Sequence, residues 1–440
     1  MMEERWPLPV DWRWAQASEI GRIVGGGTPS TGDPTNFTDG DGTPWITPAD
    51  LTGYERTYIS RGRRNLSKKG LASCGATLMP AGTVLYSSRA PIGYCAIAEN
   101  PISTNQGFKS LVVGKDVVPE FVRYYLLSSK EYAEGLASGT TFKELSGSRM
   151  AQLPIPIAPK DEQRRIVAKL DGLLARSKNA RDELAHIPML VARYKKAVLA
   201  AAFRGNLTAD WRASAITGDT PGRSNRKWET KPLSELCDYR RGITYGVIKL
   251  GDEIANGVPC LRTSNVRWLR FDLEGMKRIS PTLSSEYGRT VLKGGEVLVN
   301  VRGTLGGVAV ATQEMAGWNV SREVAMVPID NSQVDSEFLA YWIGSAESQE
   351  WLTGVKKGVA YTGINLEDLR KLPVDVPSID EQFEIVRRVR EIFSQIDSLL
   401  NEATRATALA KRLDQAILAK AFRGDLATKV KTVRQKEYTD

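Results

Sequence analysis

Two long segments of the chain carry apolar residues at a helical spacing. Within residues 153–208 the apolar positions alternate strictly in steps of four and three, and residues 372–427 repeat the pattern in the same register. An average step of 3.5 residues is typical of the contact face of a coiled coil. The first stripe is Ile166, Leu170, Leu173, Ser177, Ala180, Leu184, Ile187, Val191, Tyr194 and Val198, and the second is Ile385, Val389, Ile392, Ile396, Leu399, Ala403, Ala406, Ala410, Leu413 and Ile417. We therefore predict two long helices with these stripes buried.

The two segments are also copies of each other. Both contain Leu-Pro followed by Asp-Glu-Gln, and both end in Ala-Phe-Arg-Gly, at a constant offset of 219 residues without a gap. Asp161 and Asp380 suit the start of a helix, and Gly205 and Gly424 suit the position just after its end. Weaker similarity, between the segments that follow Val84 and Val297, extends the duplication into the regions before each repeat.

The duplication predicts an α+β chain in which globular domains alternate with long helices. Two long helices that follow one another through a globular domain can pack their stripes together only if they run antiparallel, which gives an approximate two-fold symmetry. The predicted parts are a first globular domain (1–152), a central spacer helix repeat (153–208), a second globular domain (209–371), a C-terminal spacer helix repeat (372–427) and a polar tail (428–440).

Composition limits the chemistry and the location. The chain has 440 residues, no run of about 18 apolar residues, and a start that lacks the pattern of a signal peptide. Its four cysteines are far apart, which favours neither a disulfide framework nor a zinc site, so we expect a cytoplasmic protein with no bound metal. A single histidine, His186, argues against histidine-based acid–base catalysis and against most zinc enzymes.

The net charge of +9 indicates a polyanionic partner, although its distribution is uneven. Residues 153–208 contain 11 basic and 5 acidic residues, a net charge of +6. The two globular domains carry 16 basic against 15 acidic and 21 against 20, which is +1 each. The excess on the first helix could face DNA or an acidic protein surface, and the sequence leaves both open.

Two similar globular domains on a spacer have the form of a protein that reads two separated DNA half-sites. Loops of both domains mix basic side chains with amides, hydroxyls and aromatic rings, which can bind phosphates and read base edges, or can equally be solvated surface. The candidate DNA-binding residues are Arg61, Arg63, Arg64, Lys68, Lys69, Ser88, Arg89, Asn105, Gln106, Lys143, Arg241, Tyr245, Arg262, Asn265, Arg267, Arg302, Lys356, Lys357 and Tyr361.

These motifs together resemble the specificity (S) subunit of type I restriction–modification systems. The resemblance rests on the paired segments at Leu153 and Leu372, on Gly25-Gly26-Gly27-Thr28-Pro29-Ser30 followed by Trp45-Ile46-Thr47-Pro48-Ala49-Asp50-Leu51, and on the segment that opens at Trp228. It covers residues 6 to about 427.

The resemblance implies that the globular domains are target recognition domains for the two halves of an asymmetric DNA site. The helices would set a fixed gap and dock two methyltransferase subunits, joined by restriction subunits. The chain itself would be non-catalytic and would hold no cofactor, because S-adenosylmethionine, ATP and Mg²⁺ would belong to the partners. The candidate docking residues are Asp161, Glu162, Gln163, Asp380, Glu381 and Gln382, which could equally be helix starts only.

Two other functions compete with this interpretation. An adenine methyltransferase would need an Asn/Asp-Pro-Pro-aromatic motif and a glycine-rich cofactor loop, and the chain has no Pro-Pro dipeptide and no G-x-G-x-x-G after a strand. A general adaptor, whose globular domains bind proteins, is compatible with the repeats alone.

Overall fold

The computed structural model describes residues 6–139, 143–215, 228–355 and 363–426. The chain divides into unit 1, residues 1–185 with 405–440, and unit 2, residues 186–404. Each unit therefore takes its own globular part and one half of each long helix, whereas the predicted division at residues 152, 208 and 371 follows the sequence repeat. Within the described ranges, none of the helices is long and apolar enough to cross a membrane.

Unit 1 is built from short strands and helices that lead into the first long helix. Its strands are β1 (Arg13–Gln16), β2 (Gly21–Gly25), β3 (Phe37–Thr38), β4 (Thr43–Ile46), β5 (Tyr58–Ile59), β6 (Arg64–Leu66), β7 (Val84–Ser88), β8 (Ile92–Ala98), β9 (Ser103–Thr104), β10 (Lys109–Val113) and β11 (Pro154–Ile157). The helices that begin in it are α1 (Ala17–Ile20), α2 (Lys68–Ala72), α3 (Pro119–Ser128), α4 (Lys130–Leu136), α5 (Gly147–Ala151) and α6 (Lys160–Phe203), with 3-10 turns at Pro34–Asn36 and Pro48–Leu51.

Unit 2 repeats this plan with shorter strands. Its strands are β12 (Glu229–Pro232), β13 (Thr244–Tyr245), β14 (Val258–Leu261), β15 (Val266–Arg267), β16 (Arg270–Phe271), β17 (Lys277–Ile279), β18 (Val297–Asn300), β19 (Val308–Val310), β20 (Asn319–Val320), β21 (Val324–Val327) and β22 (Pro373–Val376). The helices that begin in it are α7 (Ala209–Ala215), α8 (Pro281–Glu286), α9 (Ser336–Gly344), α10 (Ala346–Gly354), α11 (Leu366–Arg370) and α12 (Ile379–Phe422), with 3-10 turns at Leu233–Leu236, Gly288–Thr290 and Gln313–Met315.

The sheets of the two units share a common set of strands, and each of the two larger sheets has one more strand in unit 1 than in unit 2. The main sheet has the order β2-β10-β7-β8-β5 in unit 1 and β13-β21-β18-β19 in unit 2. A second sheet has a central strand, β4 or β14, with one antiparallel and one parallel neighbour. The strand before each long helix pairs with the first strand of its unit, β11 with β1 and β22 with β12. The predicted α+β class with duplicated globular parts and two long helices is confirmed.

The halves of the long helices run antiparallel within each unit. In unit 1, Lys169 donates to the carbonyl oxygen of Leu426 at 3.1 Å, and twelve residues along α6 Arg181 pairs with Asp414 of α12. Because the partner number falls as the number along α6 rises, the two chain directions are opposite. In unit 2, Lys195 Nζ lies 2.6 Å from Asp397 Oδ1, and twelve residues further on the carbonyl oxygen of Leu207 accepts from Arg388 at 2.8 Å, so the directions are opposite there too.

Four residues of the predicted stripes are exposed, two on each long helix, and they occupy equivalent positions of the repeat. Ala180 and Leu399 are exposed, as are Tyr194 and Leu413, whereas Ile166 and the other stripe residues are buried or half-buried. An α-helix has 3.6 residues per turn, so a stripe with a step of 3.5 rotates away from a fixed contact face. The predicted burial of these four positions is therefore wrong.

Both long helices end in the motif that their last glycine predicts. Gly205 and Gly424 have φ of +77° and +87°, a conformation that glycine adopts without strain. Beyond Gly205, the backbone N–H of Asn206 donates to the carbonyl oxygen of Ala201 at 3.0 Å, and the same bond recurs after Gly424. These are Schellman caps, which satisfy the last helical carbonyl groups.

The phenylalanine before each cap is held in an aromatic cluster. In unit 1, the ring of Phe422 lies 5.1 Å from Phe121 and 5.2 Å from Tyr125, both on α3. In unit 2, Phe203 lies 4.9 Å from Trp342 on α9. Such edge-to-face pairs add to the free energy of burying the rings. Each globular part is thus packed around the end of a long helix that began in the other repeat.

Replacing Phe203 with alanine should lower the free energy of unfolding of unit 2 by about 3–5 kcal/mol, because the substitution leaves a cavity in the aromatic cluster. Urea titrations followed by tryptophan fluorescence measure the change, since Trp342 packs on this ring. Phe383→Ala is the matched control, because Phe383 is 54% exposed on α12 of the same unit. Equal effects of the two substitutions would contradict the proposed contribution of the Phe203 cluster.

Candidate nucleic-acid interface

In each unit a glycine lets the chain pass close over a neighbouring strand. A Cβ atom on Gly26 would lie 1.9 Å from a backbone oxygen of that strand, and a Cβ on Gly246 would lie 1.7 Å from one. No side chain tolerates such a distance, so the close passage requires glycine. The same local geometry therefore occurs in both units.

The strand beneath each glycine leads to an exposed polar side chain. Thr104 accepts a hydrogen bond of 2.9 Å from the N–H of the residue after Gly26, and Val320 accepts the equivalent bond, 2.8 Å, in unit 2. Two residues further along lie Gln106 and Arg322, both exposed. These two side chains hold matched positions in the two units.

A second matched feature is a hairpin loop fixed by a buried polar side chain. In unit 1, the hydroxyl of Ser87 donates to a loop carbonyl and accepts from a backbone N–H, both at 2.8 Å. In unit 2, the amide of Asn300 donates to the carbonyl oxygen of Thr304 in the loop and to that of Val266 in β15, both at 3.0 Å. The two loops carry Arg89 and Arg302. The arginines are therefore presented by loops that are anchored from inside.

A cleft of about 640 Å³ in unit 2 brings these elements together, with Tyr245, Arg302, Arg322, Glu323 and Gly363 among its walls. The guanidinium carbon of Arg302 lies 5.8 Å from the centre of the Tyr245 ring, a cation–π contact that orients the arginine. Arg302 and Arg322 are both exposed. The cleft therefore offers two guanidinium groups and an aromatic ring to a ligand.

The corresponding cleft of unit 1 measures about 510 Å³ and has a different charge pattern. Its walls include Arg89, Glu134, Lys143 and Glu144. Glu144 lies 3.5 Å from a guanidinium nitrogen of Arg89 and 3.3 Å from Nζ of Lys109. Two basic groups of unit 1 are thus engaged by one carboxylate.

Backbone hydrogen bonds show that the two clefts have one equivalent wall, which contains the arginine loop. The N–H of Leu145 donates to the hairpin strand of unit 1 at 2.9 Å, and the N–H of Ile364 donates to that of unit 2 at 2.7 Å. The residues just before them are Glu144 and Gly363. Glu144 therefore stands where unit 2 has a glycine.

The basic residues of the second sheet of unit 1 form a separate group. Those predicted to contact DNA and found exposed here are Arg61, Arg63, Arg64, Lys68 and Lys69. The guanidinium of Arg64 lies 4.3 Å from the centre of the Phe37 ring. Lys69 lies 2.8 Å from Asp33, and this hydrogen bond lowers the pKa of the Asp33 carboxyl to about 2. Lys69 is thus partly neutralised within the unit.

Three predicted DNA contacts need correction. Ser88 and Asn265 are fully buried, and the amide of Asn265 bonds backbone groups of its own loop at 2.9 and 3.0 Å. Arg241 lies 2.5 Å from the buried carboxylate of Glu296, an ion pair that fixes the arginine inside unit 2. We remove these three residues from the candidate DNA contacts, because their polar groups do not face the surface.

The other predicted residues have mixed positions. Lys143, Gln106, Tyr245 and Arg302 are exposed, whereas Arg89, Asn105, Arg262 and Arg267 are half-buried. Lys356, Lys357 and Tyr361 lie outside the described residues.

Arg322 is a cleft residue that the sequence analysis did not select. It follows Ser321 directly, and alignment of this pair with Asn105-Gln106 at an offset of 216 would have revealed its position. The signal was weak because only the close passage at Gly26 and Gly246 makes the two pairs equivalent.

The glutamine of each Asp-Glu-Gln triplet acts inside its own unit. Gln163 accepts a hydrogen bond of 2.8 Å from the N–H of Val118, at the start of α3, and donates to the carbonyl oxygen of Ala158. Gln382 accepts the equivalent bond, also 2.8 Å, from the N–H of Asp335 at the start of α9. Both glutamines are fully buried, so we no longer count them as docking residues.

The acidic residues of the triplets differ between the repeats. Glu381 is buried and accepts hydrogen bonds from Thr208 at 2.8 Å and from the indole of Trp228 at 3.1 Å, so it too is removed from the docking candidates. Asp161 and Asp380 are exposed and Glu162 is half-buried in the first turns of the helices. These three keep an accessible face.

Three of the four cysteines are buried. Burial raises the pKa of the thiols of Cys95, Cys237 and Cys260 to about 12, which keeps them protonated and unreactive. In the part of the chain that the structure describes, no three histidine, cysteine or acidic side chains are grouped as metal ligands.

Comparison with known proteins agrees with this architecture. The family model for the type I restriction modification DNA specificity domain matches twice, at residues 9–188 and 225–408. The specificity subunit of the type I restriction enzyme EcoBI from Escherichia coli is 31% identical over 368 residues, 78% of this chain and 76% of that protein. The MjaIX specificity subunit from Methanocaldococcus jannaschii is 42% identical over 188 residues, 41% of this chain and 43% of that protein.

Solved structures share the fold. A chain from a study of complex assembly and conformational transition of the type I R-M system superposes with a TM-score of 0.66 at 21% identity, covering 96% of this chain and all of that one. The HsdS subunit from Thermoanaerobacter tengcongensis gives 0.58 at 21% identity, covering 97% of this chain and all of that one. The resemblance inferred from the sequence is thereby confirmed, and the chain belongs to the family of type I restriction–modification DNA specificity subunits.

Proposed function

We propose that this chain reads an asymmetric two-part DNA site for a type I restriction–modification complex, with one half read by each unit. The observation that carries the proposal is the pair of matched clefts. They share a scaffold. However, Arg89 of unit 1 forms an ion pair with Glu144, whereas Arg302 of unit 2 lies beside Gly363, which has no side chain. Equivalent places with unlike side chains suit two different base sequences.

The chemistry of the exposed residues supports double-stranded DNA as the ligand. Guanidinium groups such as those of Arg302 and Arg322 donate to phosphate oxygens and to guanine edges, and the amide of Gln106 suits adenine. Exposed arginine and lysine at Arg61 to Lys69 add phosphate contacts in unit 1. Each helix of 44 residues is a stiff spacer that would fix the gap between the half-sites.

An exposed apolar ridge on each long helix supports docking of methyltransferase subunits. Leu190 and Tyr194 on α6 are 53% and 58% exposed, and Leu409 and Leu413 on α12 are 63% and 54% exposed. Each pair is spaced by four residues, so its members share one helix face. The pairs are related by the repeat offset of 219. Exposed apolar side chains grouped on one face mark protein interfaces.

Two equivalent ridges suit two copies of one partner, which is why we propose two methyltransferase subunits per chain. Family membership supports restriction subunits as further partners. In this proposal the chain performs no chemistry itself. S-adenosylmethionine, ATP and Mg²⁺ are bound by the partner subunits.

Co-expression of the chain with its methyltransferase partner should place N6-methyladenine in one asymmetric motif of two parts and constant gap, because two unlike clefts are held on fixed spacers. Modification-sensitive sequencing of the host genome measures this pattern. Methyltransferase expressed alone is the control and should leave the motif unmodified.

Two outcomes would contradict parts of the proposal. A partner that copurifies without any methylated motif would remove the recognition role and leave the docking role. Methyl transfer to DNA by the isolated chain with labelled S-adenosylmethionine would show that the chain is itself an enzyme.

The double substitution L409E/L413E should reduce the bound methyltransferase subunits from two to one, because two carboxylates would have to be buried in one of the two interfaces. L190E/Y194E should have the same effect through the other ridge. Native mass spectrometry of the purified complex gives the stoichiometry.

Matched controls are L78E in unit 1 and L273E in unit 2, since both leucines are exposed in the globular parts. These controls should retain two subunits. A ratio of two methyltransferases to one chain in both ridge variants would refute docking at the ridges.

A further inference from the structure

The two matched clefts differ in whether their arginines are free to bind a ligand. In unit 1, the guanidinium of Arg89 is 3.5 Å from the carboxylate of Glu144. In unit 2, among the described residues, no carboxylate lies within salt-bridge distance of Arg302 or Arg322. Of the two clefts, that of unit 2 is therefore the one whose guanidinium groups have no carboxylate partner among the described residues.

The environment of Arg302 orients this side chain without neutralising it. The Tyr245 ring lies 5.8 Å from its guanidinium carbon, and a cation–π contact leaves all guanidinium N–H groups available as donors. Buried Asn300 anchors the loop from inside through a hydrogen bond of 3.0 Å to the carbonyl oxygen of Thr304. Arg302 is thus held as a preorganised donor on the surface.

Arg322 is placed in the same cleft from another strand. Its backbone N–H donates to the carbonyl oxygen of Val247 at 2.9 Å, which fixes its Cα next to the close passage at Gly246. Glu323, the acidic residue of the cleft, lies 3.5 Å from the hydroxyl of Thr263. The cleft therefore presents two guanidinium groups from neighbouring segments of the chain.

We propose that Arg302 and Arg322 are the specificity-determining residues of unit 2 and that they read guanine in its half-site. This proposal rests on the proposed function as a DNA-recognition subunit. Guanine presents two acceptors, N7 and O6, in the major groove, and a guanidinium donates to both at once. The other bases do not offer this pair of acceptors, so the cleft selects guanine.

Glu144 explains why the same place in unit 1 reads a different base. Its carboxylate forms an ion pair with Arg89 at 3.5 Å and with Lys109 at 3.3 Å, which reduces the positive charge of this cleft, and a carboxylate accepts hydrogen bonds but does not donate them. The residue at this position thus decides whether the arginine of the cleft can read a base. Glycine, as at Gly363, leaves the arginine able to do so, and glutamate, as at Glu144, neutralises it.

The first test compares complexes that contain R302A, R322A or the control R289A, together with the methyltransferase partner. Arg289 is an exposed arginine of the same unit outside the walls of the cleft. R302A and R322A should each relax one guanine position in one half of the wild-type motif and lower discrimination there about 5- to 150-fold. The other half and the R289A motif should be unchanged.

Affinities for duplexes with the motif and with its guanine replaced separate base readout from phosphate binding. A uniform loss of affinity on both duplexes, with the motif intact, would mean that the arginines bind phosphate and would overturn the proposal. An unchanged motif and unchanged affinity would overturn it as well. If the wild-type complex itself methylates no motif, the proposed function fails before this question is reached.

The second test transfers the carboxylate of unit 1 into unit 2 with G363E. A Cβ at residue 363 would lie 3.2 Å from Cγ of Arg302, a flexible neighbour, and 3.2 Å from the backbone oxygen of Val301, so G363A serves as the steric control. G363E should reproduce the loss of guanine preference seen with R302A, and G363A should retain that preference. If the complex with G363E methylates the same motif as the wild type, the proposed role of residue 363 is refuted.

Discussion

The rest of the structure depends on the contacts that α3 and α9 make with the long helices. Each of them contacts the start of one long helix and the end of the other. The first turn of α3 bonds Gln163, at the start of α6, and its apolar face packs on Phe422, at the end of α12. In unit 2, α9 bonds Gln382 and packs on Phe203 in the same way. Each globular part therefore needs helix segments from both repeats, which a single repeat could not supply.

This closure separates the scaffold from the cleft residues that we propose to contact DNA. The buried glutamines and aromatic rings fix each globular part to its helices, because an unsatisfied buried polar group or a cavity would cost several kcal/mol. The cleft loops are held by Ser87 and Asn300, which bond the loop backbone and not the side chains of Arg89 and Arg302. Exposed residues at matched positions, such as Gln106 and Arg322, can therefore differ while the fold stays the same.

The sequence predicted the helices and the duplication well because both are periodic. The α+β class, the capping glycines Gly205 and Gly424, and the antiparallel direction follow from local patterns and chain connectivity. The buried side chains Ser88, Asn265 and Arg241 could not be sorted from surface donors by composition. The partner of Arg241, Glu296, lies 55 residues away in the chain, so only the folded structure reveals the ion pair.

The same limit explains why Arg322 was missed and why the glutamines were taken for docking residues. In the sequence, a basic residue of a surface loop cannot be distinguished from one that lines a cleft. Only the fold separates the two, because it brings two strands together, here at the close passage of Gly246. Conversely, the duplication supplies its own comparison, because positions such as Glu144 and Gly363 share a backbone environment and differ in charge. The asymmetry of the two clefts, and not their similarity, is therefore the observation on which the proposed readout of two different half-sites rests.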